Sequence, residues 1–205
     1  MAVVAGFTNT SVTQAETMLV VPGTHYITNT PERVDAIGRG FYPNADSVIV
    51  NYPASAWPYT GFNDPTANES VQAGTANLDA EIRATGGPLI IAGESQGALV
   101  IDAVQARLAN DPTAPAADQL QFIIFADPSR GLLSLMRPGT HIPVFDLTTT
   151  TPAESQYDTT IVIAEYDGWA DPPDRPWNLL ATANAVAASG VARWWCRSTA
   201  CRAAH

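Results

Sequence analysis

Five short runs of apolar and β-branched residues, each stopped by turn-forming residues, constrain the fold of this chain more than any other feature. Runs that are apolar on both faces are typical of parallel strands buried inside a sheet. Segments with helical periodicity lie between them, and this alternation predicts a mainly parallel, doubly wound α/β fold with helices on both faces of the sheet. The predicted strands cover residues 17–21, 47–51, 88–93, 120–127 and 159–168.

Three helices are predicted from the apolar spacing. They cover residues 65–85, the segment that follows residue 95, and residues 176–190, where Pro176 starts the helix and Gly190 ends it. The side chains expected to face inward are Val71, Leu78 and Ile82 in the first helix and Leu99, Ile101, Val104 and Leu108 in the second. The side chains of the second helix expected to face solvent are Asp102, Gln105 and Arg107.

The length and charge of the chain limit its domain count and its partners. A chain of 205 residues fits one domain with a sizeable core, which we expect to cover residues 17–190. Residues 1–16 form an N-terminal segment that lacks the basic start of a complete signal peptide. Residues 191–205 form an atypical tail that contains both cysteines, Cys196 and Cys201. The net charge of −10 argues against nucleic-acid binding, and no apolar run reaches the roughly 18 residues that span a bilayer.

The segment Gly93-Glu94-Ser95-Gln96-Gly97 joins a predicted buried strand to a predicted helix. A G-x-S-x-G pattern in this context is typical of the nucleophile elbow of α/β-hydrolase-type folds, where small residues at both ends let strand and helix approach. The pattern therefore predicts Ser95 as a catalytic nucleophile, with Gly93 and Gly97 shaping the elbow. The alternative is a glycine-rich turn with an incidental serine.

An oxyanion hole needs two backbone donors. The N–H of Gln96, directly after the nucleophile, is the first candidate. The second should come from the loop after an early strand, where Pro22-Gly23 is followed by Thr24 and His25, and Thr24 is preferred.

The acid of a Ser–acid–His triad should follow a later strand in this fold. Asp171 is the preferred candidate and Asp167, at the strand end, is its rival; Asp127 is expected to form a turn before Pro128. The base should follow the acid, and His205, the last residue, is the only histidine beyond residue 141. His25 and His141 precede the acid. No metal site and no cofactor are expected.

Two long loops should emerge at the carboxyl edge of the sheet, where ligands of open α/β sheets bind. They cover residues 52–65 and 127–158. Their large apolar side chains, Trp57, Tyr59, Phe62, Leu132, Leu133, Leu135 and Met136, predict either an apolar rim over the site or ordinary core filling beneath the loops.

Several segments resemble the PE-PPE domain, the α/β serine hydrolase module of mycobacterial PE and PPE proteins. They are VNYPASAWPYTG, SVQAGTANLDAEI, GESQGA and YDGWADPPDRPWNLLATANAVAASG, and the likeness runs from about residue 20 to 190. The elbow and the PGT loop also resemble those of cutinases. The resemblance implies Ser95 as nucleophile, an acid within residues 166–171 and a histidine near Trp194 or Trp195, where the chain has none before His205. It also implies an exported or cell-envelope-associated protein.

Three functions follow as hypotheses. The first is a serine esterase or lipase-like hydrolase that cleaves carboxylic esters through an acyl-enzyme on Ser95. The second is an acyltransferase that passes a fatty acyl group to a glycolipid hydroxyl. The third is a hydrolase-fold domain impaired by the lack of a proper catalytic histidine. The expected partner in the first two is a small acyl ester or lipid, and protein partners are not predicted.

Overall fold

The computed structural model describes residues 17–24, 31–165, 167–175 and 177–185. The strands are β1 (Thr17–Val21), β2 (Asp46–Ile49), β3 (Leu89–Glu94), β4 (Leu120–Phe125), β5 (His141–Ile142), β6 (Leu147–Thr148) and β7 (Asp158–Val162). The helices are α1 (Pro31–Asp35), α2 (Ala67–Thr85) and α3 (Gln96–Leu108), with short 3₁₀ helices at Ala117–Gln119 and Leu132–Leu135. Residues 179–185 are also helical.

The main sheet has five strands in the order β2-β1-β3-β4-β7, and every neighbouring pair is parallel. This arrangement confirms the doubly wound α/β architecture, and all five predicted strands exist. The last strand is shorter than predicted, because the pairing of β4 with β7 ends at Phe125 and Val162. There Ala126 turns with a φ of 50° while its N–H donates to the Val162 carbonyl oxygen (3.0 Å).

Alternation along the central strands divides the core between the two faces of the sheet. On one face, side chains such as Leu19, Ile91 and Phe122 pack against α2 and α3. On the other face, Met18, Ile90, Ile123 and Phe125 pack with the segment that contains α1. Both faces are therefore covered, as predicted, and the carboxyl ends of β1, β3, β4 and β7 meet at one edge.

The second strand was predicted to be buried on both faces, and this prediction is wrong. In the part of the sheet that the structure describes, β2 pairs only with β1 and lies at the edge. Val48 and Ile49 are more than two-fifths exposed. An edge strand has one neighbour fewer, so β-branched residues that would be covered in a central strand remain accessible.

The polar face predicted for α3 is also partly wrong. Arg107 is exposed as expected, but Asp102 and Gln105 are both buried. Gln105 Nε2 donates to Thr159 Oγ1 (2.8 Å), and Asp102 accepts from Arg130 and Ser129. A later strand, β7, and the segment after β4 cover this side of the helix, which its own periodicity does not reveal.

The second predicted loop, residues 127–158, contains one 3₁₀ helix and a two-stranded antiparallel hairpin of β5 and β6. The hairpin is tied to the start of α2, where Ala67 N–H donates to the Phe145 carbonyl oxygen (3.1 Å). The third predicted helix begins at residue 179 rather than 176, and residues 186–190 lie outside the described part. Among the described helices, none combines the length and apolar character needed to cross a bilayer.

Candidate active site

Ser95 lies between the end of β3 and the start of α3, at the carboxyl edge of the sheet. Its φ of 55° and ψ of −112° place a non-glycine residue in a region that costs on the order of 1–3 kcal/mol. The conformation is held by its backbone, since Ser95 N–H donates to the Phe125 carbonyl oxygen (3.0 Å) and its carbonyl accepts from Ala98 (2.9 Å). The hydroxyl makes no capping hydrogen bond to α3, all of which is described. A strained, partly buried serine at this turn fits the geometry expected of a nucleophile elbow.

Close backbone packing around this turn explains its glycines. A Cβ on Gly97 would lie 2.2 Å from the Val21 carbonyl oxygen, well inside contact distance. A Cβ on Gly93 would lie 2.9 Å from the Gly97 carbonyl oxygen. Any side chain at these positions would push α3 away from β1 and β3, and the position of Ser95 would change with it.

The loop after β1 runs directly beside Ser95. A Cβ on Gly23 would lie 3.2 Å from Ser95 Cβ, so the backbone of this loop lies close to Ser95. Tyr52 Oη donates a hydrogen bond to the Pro22 carbonyl oxygen and so fixes the start of this loop. Burial raises the pKa of the Tyr52 hydroxyl, which keeps it a neutral donor. Thr24, predicted to supply the second oxyanion donor, follows at once and is half-buried.

The Gln96 side chain is fixed by a buried polar network that the sequence did not indicate. Gln96 Nε2 donates to the Ser55 carbonyl oxygen (2.8 Å), and Gln96 Oε1 accepts from Ser70 Oγ (2.9 Å). Ser70 Oγ in turn accepts from Ser55 N–H (3.0 Å), and Ser55 Oγ donates to the Pro65 carbonyl oxygen (2.9 Å). The network joins α2, the loop after β2 and the first residue of α3. Gln96 N–H is in the first turn of α3, where amides have no partner within their helix.

The two acid candidates lie in one tight turn after β7. Asp167 is fully buried, and its Oδ1 accepts from Trp169 N–H (3.0 Å). Asp171 N–H donates to the Asp167 carbonyl oxygen (2.6 Å), while the Asp171 side chain is exposed. The turn therefore presents one carboxylate shielded from water and one in contact with it.

One of the three histidines lies in the described part of the chain. His141, in β5, has its Nε2 2.8 Å from Asp146 Oδ1, and both side chains are about half exposed. Hydrogen bonds from His141 and Thr66 hold the pKa of Asp146 below its usual range. His25 and the predicted base His205 lie outside the described residues, as do Cys196 and Cys201. The described residues contain no group of three or more side chains that could hold a metal ion.

Most of the predicted apolar rim is exposed. The two loops touch through Tyr59 and Phe145, whose ring centroids are 6.4 Å apart in an edge-to-face arrangement. Leu133 is buried and belongs to the core instead. The exposed large apolar side chains in the two loops are Trp57, Tyr59, Phe62, Leu135, Met136 and Val144.

A buried charged cluster, formed by Asp102, Asp127, Ser129 and Arg130, was not anticipated as a unit. Asp127 forms the predicted turn, because its Oδ1 accepts from Ser129 N–H (2.8 Å). Arg130 Nη1 donates to Asp102 Oδ1 (3.0 Å) and to Asp127 Oδ2. Burial and the nearby Asp127 carboxylate raise the pKa of Asp102 to about 6. Two carboxylates, one from α3 and one from the turn after β4, therefore share one guanidinium.

Known proteins resemble this chain in sequence. The model of the PE-PPE domain matches residues 43–193. From Mycobacterium tuberculosis, SL1278 acyltransferase Chp1 is 49% identical over 203 residues, covering 93% of this chain and 50% of the relative. Diacyltrehalose acyltransferase Chp2 is 42% identical over 180 residues, covering 78% of this chain and 50% of the relative.

Esterase PE16 from the same organism is 37% identical over 144 residues, covering 65% of this chain and 27% of the relative. The chain thus spans about half or less of the length of these curated relatives. Among solved structures, a cutinase-like protein from Cryptococcus sp. superposes with a TM-score of 0.49 and 14% identity, over 90% of this chain and 96% of that one.

Proposed function

Because the chain belongs to the PE-PPE domain family, we propose that it is an enzyme acting on carboxylic esters through an acyl-enzyme on Ser95. The observation that carries the proposal is the elbow itself. Ser95 is strained, partly buried and placed directly before the first turn of α3, with the backbone of the 22–24 loop beside it. Nothing in ordinary packing requires a serine at this conformation, since glycine adopts a positive φ at no steric cost.

The first half-reaction transfers the acyl group to the enzyme. Ser95 Oγ attacks the ester carbonyl carbon while a histidine takes the hydroxyl proton, and the oxyanion is stabilised by Gln96 N–H and a second amide, for which Thr24 is the candidate. The tetrahedral intermediate collapses, and the alcohol leaves with that proton. An incoming water or hydroxyl then attacks the acyl-enzyme by the same steps in reverse.

Burial favours Asp167 over Asp171 as the acid. A triad carboxylate orients and stabilises the imidazolium best when it is shielded from water, and Asp167 is fully buried whereas Asp171 is exposed. His205 remains the proposed base because of its place after the acid. His141 is the weaker alternative, since it already pairs with Asp146 on an exposed hairpin.

Two acceptors are in competition for the acyl-enzyme, and the relatives carry both kinds of name. Chp1 and Chp2 are named acyltransferases and PE16 an esterase. We favour hydrolysis as the basal reaction, since it needs only water. Acyl transfer to a sugar or lipid hydroxyl is the second candidate, supported by the exposed apolar side chains of the two loops, which suit an acylated substrate. The family also supports an exported or envelope-associated location.

An acceptor competition experiment tests this proposal. p-Nitrophenyl esters of increasing acyl length are supplied with rising trehalose, and p-nitrophenol, free acid and acylated sugar are each measured. A hydrolase releases acid and p-nitrophenol in equal amounts at every acceptor concentration. An acyltransferase yields acylated sugar at the expense of free acid. Equal rates for the wild type and Ser95→Ala would contradict the proposal, and a weak wild-type rate abolished by Ser95→Ala would indicate the impaired form.

A further inference from the structure

We propose that Arg130 and Asp102 are positioning residues for the acid of the active site. The inference rests on the proposed function. Residues 167–171, which contain both acid candidates, are called the acid turn. The buried cluster would hold the segment after β4 in the position that supports this turn.

The cluster fixes residues 128–130 against two elements of the core. Asp127 comes two residues after the last residue of β4 and is fully buried; Asp102 lies two helical turns into α3 and is 4% exposed. Arg130 binds both carboxylates, and Ser129 Oγ lies 2.8 Å from Asp102 Oδ2 and 2.7 Å from Asp127 Oδ1. One hydroxyl has a single proton to donate, so it satisfies both carboxyl groups fully only when one of them is itself protonated.

The same segment then contacts the acid turn through its backbone. Gly131 and Leu133 N–H groups both donate to the Pro128 carbonyl oxygen (3.1 and 2.9 Å), which forms a compact turn. From this turn, Leu132 N–H donates to the Trp169 carbonyl oxygen (2.8 Å). A Cβ on Gly131 would lie 2.2 Å from that same oxygen, so the two backbones are in direct contact.

The acid turn depends on this contact. Trp169 lies between Asp167 and Asp171, and its own N–H is the donor to Asp167 Oδ1 (3.0 Å). A shift of Arg130 would therefore reach the buried carboxylate through Leu132 and Trp169. Misplacing a catalytic group by about 1 Å can cost roughly 100-fold in rate, whereas a buried ion cluster adds little net stability over apolar packing. A role in positioning the acid turn therefore explains the buried cluster better than a contribution to the stability of the fold does.

A double-mutant cycle tests the inference. Arg130→Met and Arg130→Lys are each made alone and combined with Asp167→Asn and with Asp171→Asn, and kcat and KM are measured on a p-nitrophenyl ester. We expect Arg130→Met to lower kcat roughly 10- to 100-fold with KM little changed. Arg130→Lys should recover part of the loss. When Arg130→Met is combined with the substitution of the catalytic acid, the fall in kcat should be smaller than the product of the two single falls. Both substitutions act through the same carboxylate.

The matched control is Arg107→Met, which removes an exposed arginine paired with Asp79 (3.4 Å) on the other side of α3. Its kcat should stay within about twofold of the wild type. Multiplicative losses in the cycle, or an Arg130→Met variant as active as the control, would overturn the inference. Should Arg130→Met not fold, Asp102→Asn and Arg130→Lys carry the same comparison.

Amide hydrogen exchange separates this inference from the proposed function. Exchange at residues 167–171 should rise in Arg130→Met and not in Arg107→Met, and this readout needs no activity. An inactive wild type with the expected exchange pattern would contradict the proposed function and leave the physical link intact. Unchanged exchange in the acid turn would overturn the link whatever the activity.

Discussion

At the scale of single residues, the side chain of Gln96 matters as much as its amide. Ser70 is fully buried and supplies the hydrogen bond to Gln96 Oε1 (2.9 Å), while the Ser55 carbonyl accepts from Nε2. These two bonds fix the first residue of α3, and with it the N–H proposed for the oxyanion hole. On the proposed function, we expect their loss to disturb the transition state more than substrate binding.

Ser70→Ala tests that role. It leaves a buried carbonyl oxygen and a buried N–H with one partner fewer, which we expect to cost about 1–3 kcal/mol of stability. kcat should fall roughly 10- to 100-fold with KM nearly unchanged. Thr75→Ala is the control on the same helix, since among the described residues Thr75 Oγ1 bonds within α2, to the Val71 carbonyl (2.7 Å). Steady-state kinetics and thermal unfolding of both variants decide the question, and equal kcat values would refute it.

Asp102 gives a second prediction, about stability and pH. Its pKa in the folded protein is about 6, raised by burial and by Asp127, against about 4 in the unfolded chain. Between these values the folded state holds a proton that the unfolded state has released, so this stabilisation is lost as pH rises from about 4 through 6. Asp102→Asn carries no such proton and escapes the loss.

The midpoint of thermal unfolding of Asp102→Asn relative to the wild type should therefore rise as the pH increases from 4 to 7. The change corresponds to on the order of 1–3 kcal/mol. Calorimetry at four or five pH values measures it, and groups remote from Asp102 cancel in the difference. A difference that stays flat or falls with pH would contradict the assignment.

At the scale of elements, the junction of β3 and α3 determines the geometry of the site. Gly97→Ala places a methyl group 2.2 Å from the Val21 carbonyl oxygen, and backbone atoms cannot yield as side chains do. We expect a loss of about 3 kcal/mol or more. Gly139→Ala, where φ is +82° and the space is open, should cost only about 1 kcal/mol from strain alone. Denaturant unfolding compares the two, and equal losses would show that the close approach is not rigid.

Elements were predictable where their own residues determine them. The apolar residues of β1 and β3 were enough to predict that both strands are buried. The change from strand to helix at Ser95 is also visible in the sequence. The solvent-facing side of α3 could not be predicted in this way. Asp102 is buried by Ser129 and Arg130, which come 27 and 28 residues later in the chain. A periodicity argument assigns polar residues to solvent, and only a distant contact reverses that assignment.

At the scale of the whole molecule, the parallel order of the strands explains why the sequence could predict which segments lie together at the candidate site. Strands β1, β3, β4 and β7 are adjacent, so the segments after each of them gather at one edge. The 22–24 loop, the elbow, the charged cluster and the acid turn come from these four strands in that order. The sheet topology alone brings these four segments together. It does not decide whether Asp167 or Asp171 is the acid, because that depends on which of the two side chains the turn buries.

The central claim is that Ser95 is a nucleophile, and covalent labelling tests it most directly. The wild type, Ser95→Ala and Ser134→Ala are treated with an excess of a fluorophosphonate probe and analysed by intact mass and peptide mapping. Ser134 is the control, because it lies in the 3₁₀ helix after β4 and bonds to the Gly131 carbonyl (2.6 Å). We expect a single adduct on the peptide that contains Ser95, unchanged in Ser134→Ala and absent from Ser95→Ala. A protein that stays unlabelled, or is labelled equally in Ser95→Ala, would contradict the account.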